Sequence, residues 1–161
     1  DYIAAAKSEG AKLLCGGRRL SDGALSHGNF LEPTVFDGVK PAMKIFREEV
    51  FGPVLCLLPF DGEQEGLALA NDCRFGLAAS VWTKDAQRTL RVSAALRFGT
   101  VWINDHLPLT SEMPHGGFKH SGFGKDLSES ALEEYTIAKH IMADMGGQAR
   151  KVWHYTALGQ P

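Results

Sequence analysis

The sequence has 161 residues, enough for one domain that buries a core. Its 44% hydrophobic and 22% charged residues are ordinary for a globular chain. A net charge of -2 with no run of Lys or Arg leaves no footprint for nucleic acid, and no apolar stretch approaches the roughly 18 residues of a membrane span.

Cys15, Cys56 and Cys73 are odd in number and far apart, with no C-x-x-C. They imply neither a disulfide frame nor a zinc ribbon, and they fit a reducing, cytoplasmic setting. No basic-apolar-small leader opens the sequence. Asp1 to Gly10 instead reads as the last turns of a helix already under way, stopped by Gly10, so the chain is expected to be the tail of something longer.

Ala11 to Cys15 and Asn29 to Phe36 are apolar runs joined by a Gly/Ser/Asp-rich loop, which predicts an antiparallel hairpin with Pro33 at an edge or bulge. Pro41 to Arg47 is expected to form a short helix delivering Glu48 and Glu49. From Pro53 the pattern alternates strand, helix, strand, helix, strand. Val54 to Phe60 is nearly all apolar and is expected to be covered on both faces. Asp61 and Gln64 read as a capping box for the next helix, and Leu77 to Trp82 is a second buried strand. Asp85 starts another helix, with Ala86, Leu90 and Ala94 on one face, and Thr100 to Asn104 is a third strand. This alternation predicts an α/β fold with parallel strands joined by crossover helices, whose ligands gather at the carboxyl ends of the strands.

Leu107 to Lys125 has no periodicity and holds four glycines; a loop of that length is usually functional. Ser128 is expected to cap a last helix with Ala131 and Tyr135 on one side, and Ile137 to Met145 to form a closing strand. The loop fails both phosphate-binding patterns, because Gly124-Lys125 is followed by Asp126 and Gly122-Phe123-Gly124 lacks a third glycine. It is better read as a place where backbones pack closely. His115 and His120 are five apart with no H-E-x-x-H, so no metal is assigned. His115 reads as lining a pocket, and His106 as a pocket residue or a solvated loop residue. Each cysteine reads as inert, with Cys56 in the middle of a buried strand.

Glu48 and Glu49 precede Phe51 and the Gly52-Pro53 turn at the mouth of an apolar strand. Carboxylates there are solvated, paired, or kept for hydroxyl groups of a ligand, since an unpaired buried charge costs several kcal/mol. Residues alone leave two readings open, a surface pair beside a core aromatic or a ligand site.

The segments E-E-V-F-G-P-V, A-N-D-x-x-x-G-L-A-A-S-V-W-T, G-T-V-W-I-N, P-H-G-G-F-K-x-S-G-F-G-K-D and E-Y-T, over Asp1 to about Met145, closely resemble the C-terminal portion of the NAD(P)-dependent aldehyde dehydrogenases. Within that family Met113 to Gly117 and Gly124 to Asp126 are most similar to the bacterial gamma-aminobutyraldehyde and betaine aldehyde dehydrogenases. The resemblance implies part of a three-layer αβα catalytic domain over 1–136, with the hairpin at 11–36, an oligomerisation strand at 137–145 and a tail at 146–161. It implies that Glu49 accepts hydrogen bonds from the ribose beside the nicotinamide of NAD, or of NADP, and that Phe51 packs on the nicotinamide ring. Asp105, His106, Leu109 and His115 match positions at the mouth of the family's aldehyde tunnel, and Glu112 adds negative charge near a substrate ammonium.

The implied reaction is oxidation of an aldehyde, here an aminoaldehyde, to the acid, in a homo-oligomer joined through the last strand. The family's catalytic cysteine, general-base glutamate, oxyanion asparagine and Gly-rich dinucleotide segment fall before Asp1, so this chain alone is expected to be inactive. Trp153 and Tyr155 are expected either to touch a partner subunit or to be disordered. The competing reading is a stand-alone, non-catalytic subunit or assembly module.

Overall fold

Gly10 ends the first helix, α1 (Tyr2–Ser8), as its position predicts. Its φ of +95° is one that residues with a Cβ rarely adopt, and the turn lets Ala11 N donate to Ala6 O at 2.9 Å. The computed structural model describes residues 1–147, Lys151 and Trp153, and the expectation for Tyr155 lies outside the described residues.

The predicted hairpin forms in two tiers. Strand β1 (Lys12–Cys15) pairs antiparallel with β4 (Thr34–Asp37), and β2 (Arg19–Leu20) pairs with β3 (Phe30–Leu31) beyond a short 3-10 turn at Gly23–His27. The bulge falls between Leu13 and Cys15, opposite Phe36 and Val35, while Pro33 stands just before β4. Gly16 permits it, because a Cβ there would stand 2.1 Å from Pro33 O. Phe36 on β4 is fully buried and centres a small core with Ala6, Ala11, Val39, Met43 and Ile45.

Met43 and Ile45 reach that core from around α2 (Lys44–Arg47), the short helix expected before the paired glutamates. Strand β5 (Val54–Cys56) then runs parallel to β4, from Thr34↔Val54 to Phe36↔Cys56. The expectation of cover on both faces is corrected here. Val54, Cys56 and Leu58 pack on the core, whereas Leu55 on the opposite face is 58% exposed and Leu57 is exposed as well. Side chains alternate across a strand, and no layer among the described residues covers the second face.

After β5 the chain forms α3 (Gly62–Asn71), β6 (Phe75–Gly76), β7 (Ala78–Val81), α4 (Ala86–Ala95) and β8 (Thr100–Ile103). The crossover through α4 makes β7 and β8 parallel neighbours, Ala78↔Thr100 to Val81↔Ile103. The fold is therefore α/β with both parallel and antiparallel pairs, but β5 and β7 lie in separate sheets rather than in one.

Asp85 caps α4 as predicted, accepting from the amides of Gln87 at 2.9 Å and Arg88 at 3.0 Å. Asp61 does not cap α3 with its side chain; Glu65, rather than Gln64, reaches back to the Asp61 amide. The face of α4 read from Ala86, Leu90 and Ala94 is turned outward, with Leu90 71% exposed, while Leu96 is buried and Val92 half-buried.

The glycine-rich loop folds back as β9 (Phe118–Lys119), antiparallel to β6. Close backbone packing is what its glycines permit. A Cβ on Gly99 would stand 1.6 Å from Gly116 O, and one on Gly116 would stand 2.5 Å from Gly124 O. Helix α5 (Ser128–Glu134) starts from Leu127, and Ser128 Oγ accepts from Ser130 N at 3.2 Å, so the serine acts one position into the helix.

Tyr135 is exposed rather than packed beside Ala131. The closing strand expected at Ile137–Met145 is not formed in the single chain. The segment runs past α5 without a paired strand, and Ile137 is 95% exposed. Strand structure requires a neighbouring edge, and no strand among the described residues pairs with it.

Candidate functional site

Helix α2 is a single turn held from three sides. Lys44 N donates to Glu9 Oε2 at 3.0 Å, satisfying one of the amides a helix start leaves open. On its far side the Arg47 guanidinium makes two 2.9 Å bonds to the Asp72 carboxylate just past α3, and it also reaches Asp72 O and Pro41 O. That fork-on-carboxylate contact holds the Asp72 carboxyl below its ordinary range, the hydrogen bond from Arg47 being the largest cause.

At Glu48 the backbone leaves the helix in an extended conformation, φ -121° and ψ 147°. Both carboxylates border one open depression, and what distinguishes them is their partners. Glu48 is half-buried and paired, Tyr2 Oη donating to its Oε2 at 2.9 Å and Lys44 Nζ lying 3.9 Å from the same oxygen. Lys44 Nζ also stands 4.9 Å from the centre of the Tyr2 ring. The Tyr2 phenol is pushed up, first by its hydrogen bond to Glu48, then by desolvation and by repulsion from that carboxylate. Glu49 is exposed, and no hydrogen bond or ion pair joins it to a described residue.

Phe51 is 93% exposed and has φ +49°, a backbone state costly for a side chain of its size. The next residues are tied down, Thr34 N donating to Pro53 O at 2.8 Å where β5 begins beside β4. The open depression beside this turn, of about 640 Å³, is lined by both glutamates, Glu48 and Glu49, together with Val50, Phe51, Val54 and Cys56. Burial pushes the Cys56 thiol up, away from the thiolate that a nucleophile needs.

The second group lies past the carboxyl end of β8. His106 Nδ1 is 2.6 Å from Ser80 Oγ on β7, and the Trp102 ring meets the imidazole edge-on at 5.2 Å between centroids. Asp105 Oδ1 accepts from His106 N at 2.8 Å, and Trp102 Nε1 donates to Pro108 O at 2.8 Å, which ties the loop bearing Leu109 back to the strand. Asp105, His106 and Leu109 are thus gathered at one strand end, and all three are exposed.

His115 does not join them. Its Nδ1 is 3.0 Å from Thr100 Oγ1 at the start of β8, and its backbone exchanges hydrogen bonds with Asp126. Thr100 and Ile103 are three strand steps apart, about 10 Å. Glu112 is exposed, and among the described residues no cluster of three His, Cys, Asp or Glu side chains forms a metal site.

Residue-by-residue reading missed Tyr2 and Lys44, which separate the glutamates, and Asn104. Asn104 locks the ends of β7 and β8 together, its Oδ1 accepting from Thr83 N at 2.8 Å and its Nδ2 donating to Thr83 O at 2.9 Å. An asparagine directly after a strand is the signal that was available, since Asn takes positive φ more readily than most residues, as it does here at +52°.

The sequence pattern described as the aldehyde dehydrogenase family matches residues 1–141. The chain belongs to the aldehyde dehydrogenase family. It is 50% identical over 140 residues to betaine aldehyde dehydrogenase of Bacillus subtilis (strain 168), covering 87% of this chain and 29% of that protein. It is 49% identical over 140 residues to aminoaldehyde dehydrogenase 2, peroxisomal, of Malus domestica, covering 87% of this chain and 27% of that one. A crystal structure of betaine aldehyde dehydrogenase from Staphylococcus aureus in complex with NAD+ superposes with a TM-score of 0.84 at 42% identity, covering 92% of this chain and 31% of the other. This aldehyde dehydrogenase chain spans less than a third of the length of these relatives.

Proposed function

We propose that the chain is the C-terminal catalytic and oligomerisation portion of an enzyme that oxidises an aminoaldehyde to its acid with NAD+. The observation that carries this reading is the pair at the Phe51 turn: a carboxylate with no partner among the described residues beside an aromatic ring held exposed in a strained conformation. An ionised carboxylate only accepts hydrogen bonds and so suits the two hydroxyls of a ribose. A flat exposed ring limits where a nicotinamide can sit. Glu49 and Phe51 fit both tasks, and the NAD+ named with the Staphylococcus aureus structure supports NAD+ over NADP. When bound, NAD+ supplies the hydride acceptor.

Asp105, His106 and Leu109 line the mouth through which the aldehyde enters. Asp105 and Glu112 bring negative charge toward an ammonium group, and His115 contributes from its own position on the loop. The relatives' names, betaine aldehyde dehydrogenase and aminoaldehyde dehydrogenase, support a substrate carrying a cationic nitrogen. Cys15 is exposed with its Sγ directed at Pro33 O and Cys56 is pushed toward the neutral thiol by burial, which supports the reading that the nucleophile and general base are supplied elsewhere in a longer enzyme and that the 161-residue chain alone is inactive. The unpaired apolar segment at 137–145 joins a neighbouring subunit, and three free cysteines suit a reducing compartment such as the cytoplasm.

The test is Glu49→Gln in the full-length protein, with NAD+ titrated calorimetrically and NAD+ reduction followed with 4-aminobutyraldehyde and with betaine aldehyde. Replacing an ionised acceptor by a neutral one is expected to weaken NAD+ binding about tenfold. An unchanged NAD+ Kd removes the ribose role, and no turnover of either aldehyde by the wild type removes the substrate class.

A further inference from the structure

The two glutamates at the end of α2 are chemically identical neighbours, yet only one is free. Glu48 Oε2 holds the Tyr2 hydroxyl at 2.9 Å across 46 residues of sequence, with Lys44 Nζ 3.9 Å away and 4.9 Å above the tyrosine ring. We propose that Tyr2, Lys44 and Glu48 form a positioning device that fixes the Glu48–Glu49 peptide and so presents the Glu49 carboxylate, unpaired, to the cofactor ribose. The proposal rests on the cofactor reading of Glu49.

The physical case begins with α2 itself. Four residues make one turn, too short to hold its own orientation, because isolated helices of that length are unstable in water. Its orientation comes from contacts at both ends: Glu9 on the Lys44 amide, Arg47 on Asp72, and Tyr2 on Glu48. Of these, only the Tyr2 bond acts on the residue adjoining Glu49.

Glu48 and Glu49 border one open depression, and Glu49 stays unpaired there because Glu48 takes both the tyrosine hydroxyl and the lysine. Without that anchor, either carboxylate can take the lysine. Lys44 and Glu48 are spaced i, i+4, and the ammonium belongs to a long, flexible stem. The tyrosine hydroxyl and the ring under the ammonium hold lysine and Glu48 together, so Lys44 does not neutralise Glu49. A carboxylate already paired with lysine would accept less well from a ribose.

The experiment is a double-mutant cycle in the full-length enzyme between Tyr2→Phe and Glu49→Gln, read as the calorimetric NAD+ Kd and, separately, as Tm. Tyr2→Phe deletes one hydroxyl and keeps the ring. It is expected to weaken NAD+ binding about threefold to tenfold in the Glu49 background and by less than about twofold in the Glu49→Gln background. The change in Tm is expected to be the same in both backgrounds, as a purely structural contact would give.

Glu48→Gln, which retains an acceptor for the tyrosine, is expected to keep most of the affinity, whereas Glu48→Ala reproduces Tyr2→Phe. Equal Kd factors in the two backgrounds, or no Kd change for Tyr2→Phe while Glu49→Gln does weaken binding, overturn the positioning role alone. An unchanged Kd for Glu49→Gln itself overturns the cofactor reading and the positioning proposal with it.

Discussion

Phe51 keeps a strained backbone, φ +49°, while burying almost none of its ring. Strain of this kind costs about 1 kcal/mol or more and persists where the surroundings impose it. Here Gly52 and Pro53 follow directly, and the Pro53 carbonyl is committed to Thr34 N at 2.8 Å. Nothing in the ring's own contacts repays the strain. Phe51→Gly is therefore expected to leave Tm unchanged or raise it slightly, since glycine adopts positive φ freely and no packing is lost. The same substitution in the full-length enzyme is expected to lower kcat for NAD+ reduction by about tenfold, because the nicotinamide loses the surface that aligns it. A fall in Tm of several degrees would show that the ring packs more than its exposure implies. The residue types at this turn were legible in the sequence; the separation of Glu48 from Glu49 was not, because it depends on Tyr2, 46 residues earlier.

Helices α3 and α4 show which parts of an element are readable locally. The Asp85 cap was legible because a side chain reaching amides two and three residues ahead is set by the local sequence. Those amide bonds, Arg88 first, hold the Asp85 carboxyl below its ordinary value of 3.8. Asp72 is likewise held down by Arg47 at the end of α3, and Glu63 by Arg91 and then Arg88 between the two helices. A carboxyl depressed on folding contributes stability that is present above its unfolded value and lost as pH falls through the folded one. The urea midpoint is thus expected to hold from pH 7 to about 5 and to drop below pH 4, with Asp72→Asn making the drop shallower. An identical pH profile for Asp72→Asn would mean the Arg47 pair does not couple to folding. Which face of α4 turns inward was not legible because apolar residues lie on both of its sides, and only contact with β7 and β8 buries Leu96 and half-buries Val92 while Leu90 stays exposed. That His115 lies apart from Asp105, His106 and Leu109 was not legible for a similar reason: a loop without periodicity carries no local record of where it folds back.

The whole molecule exposes 12267 Å², whereas a compact protein of 17.5 kDa exposes about 7,900 Å². Several large apolar side chains are exposed along continuous features. Leu55 and Leu57 form the open face of β5, Trp82 and Leu90 flank the β7–α4 unit, and Ile137, Ile141, Met142 and Met145 run along the segment beyond α5. The alternation of strands and helices was readable because each segment's apolar pattern is local, while the number of covered faces was not, since cover is supplied by whatever packs against the sheet. The β5 edge and the 137–145 segment together offer unpaired backbone beside apolar side chains, which is the combination that drives association. The 161-residue chain produced alone is accordingly expected to associate at micromolar concentration, measured as a high-mass or polydisperse species by size exclusion with light scattering. Replacing Ile137 and Ile141 by Lys is expected to reduce that association, because charge on an unpaired strand opposes edge pairing. A monodisperse monomer with a cooperative melt would show instead that these faces close on themselves in solution.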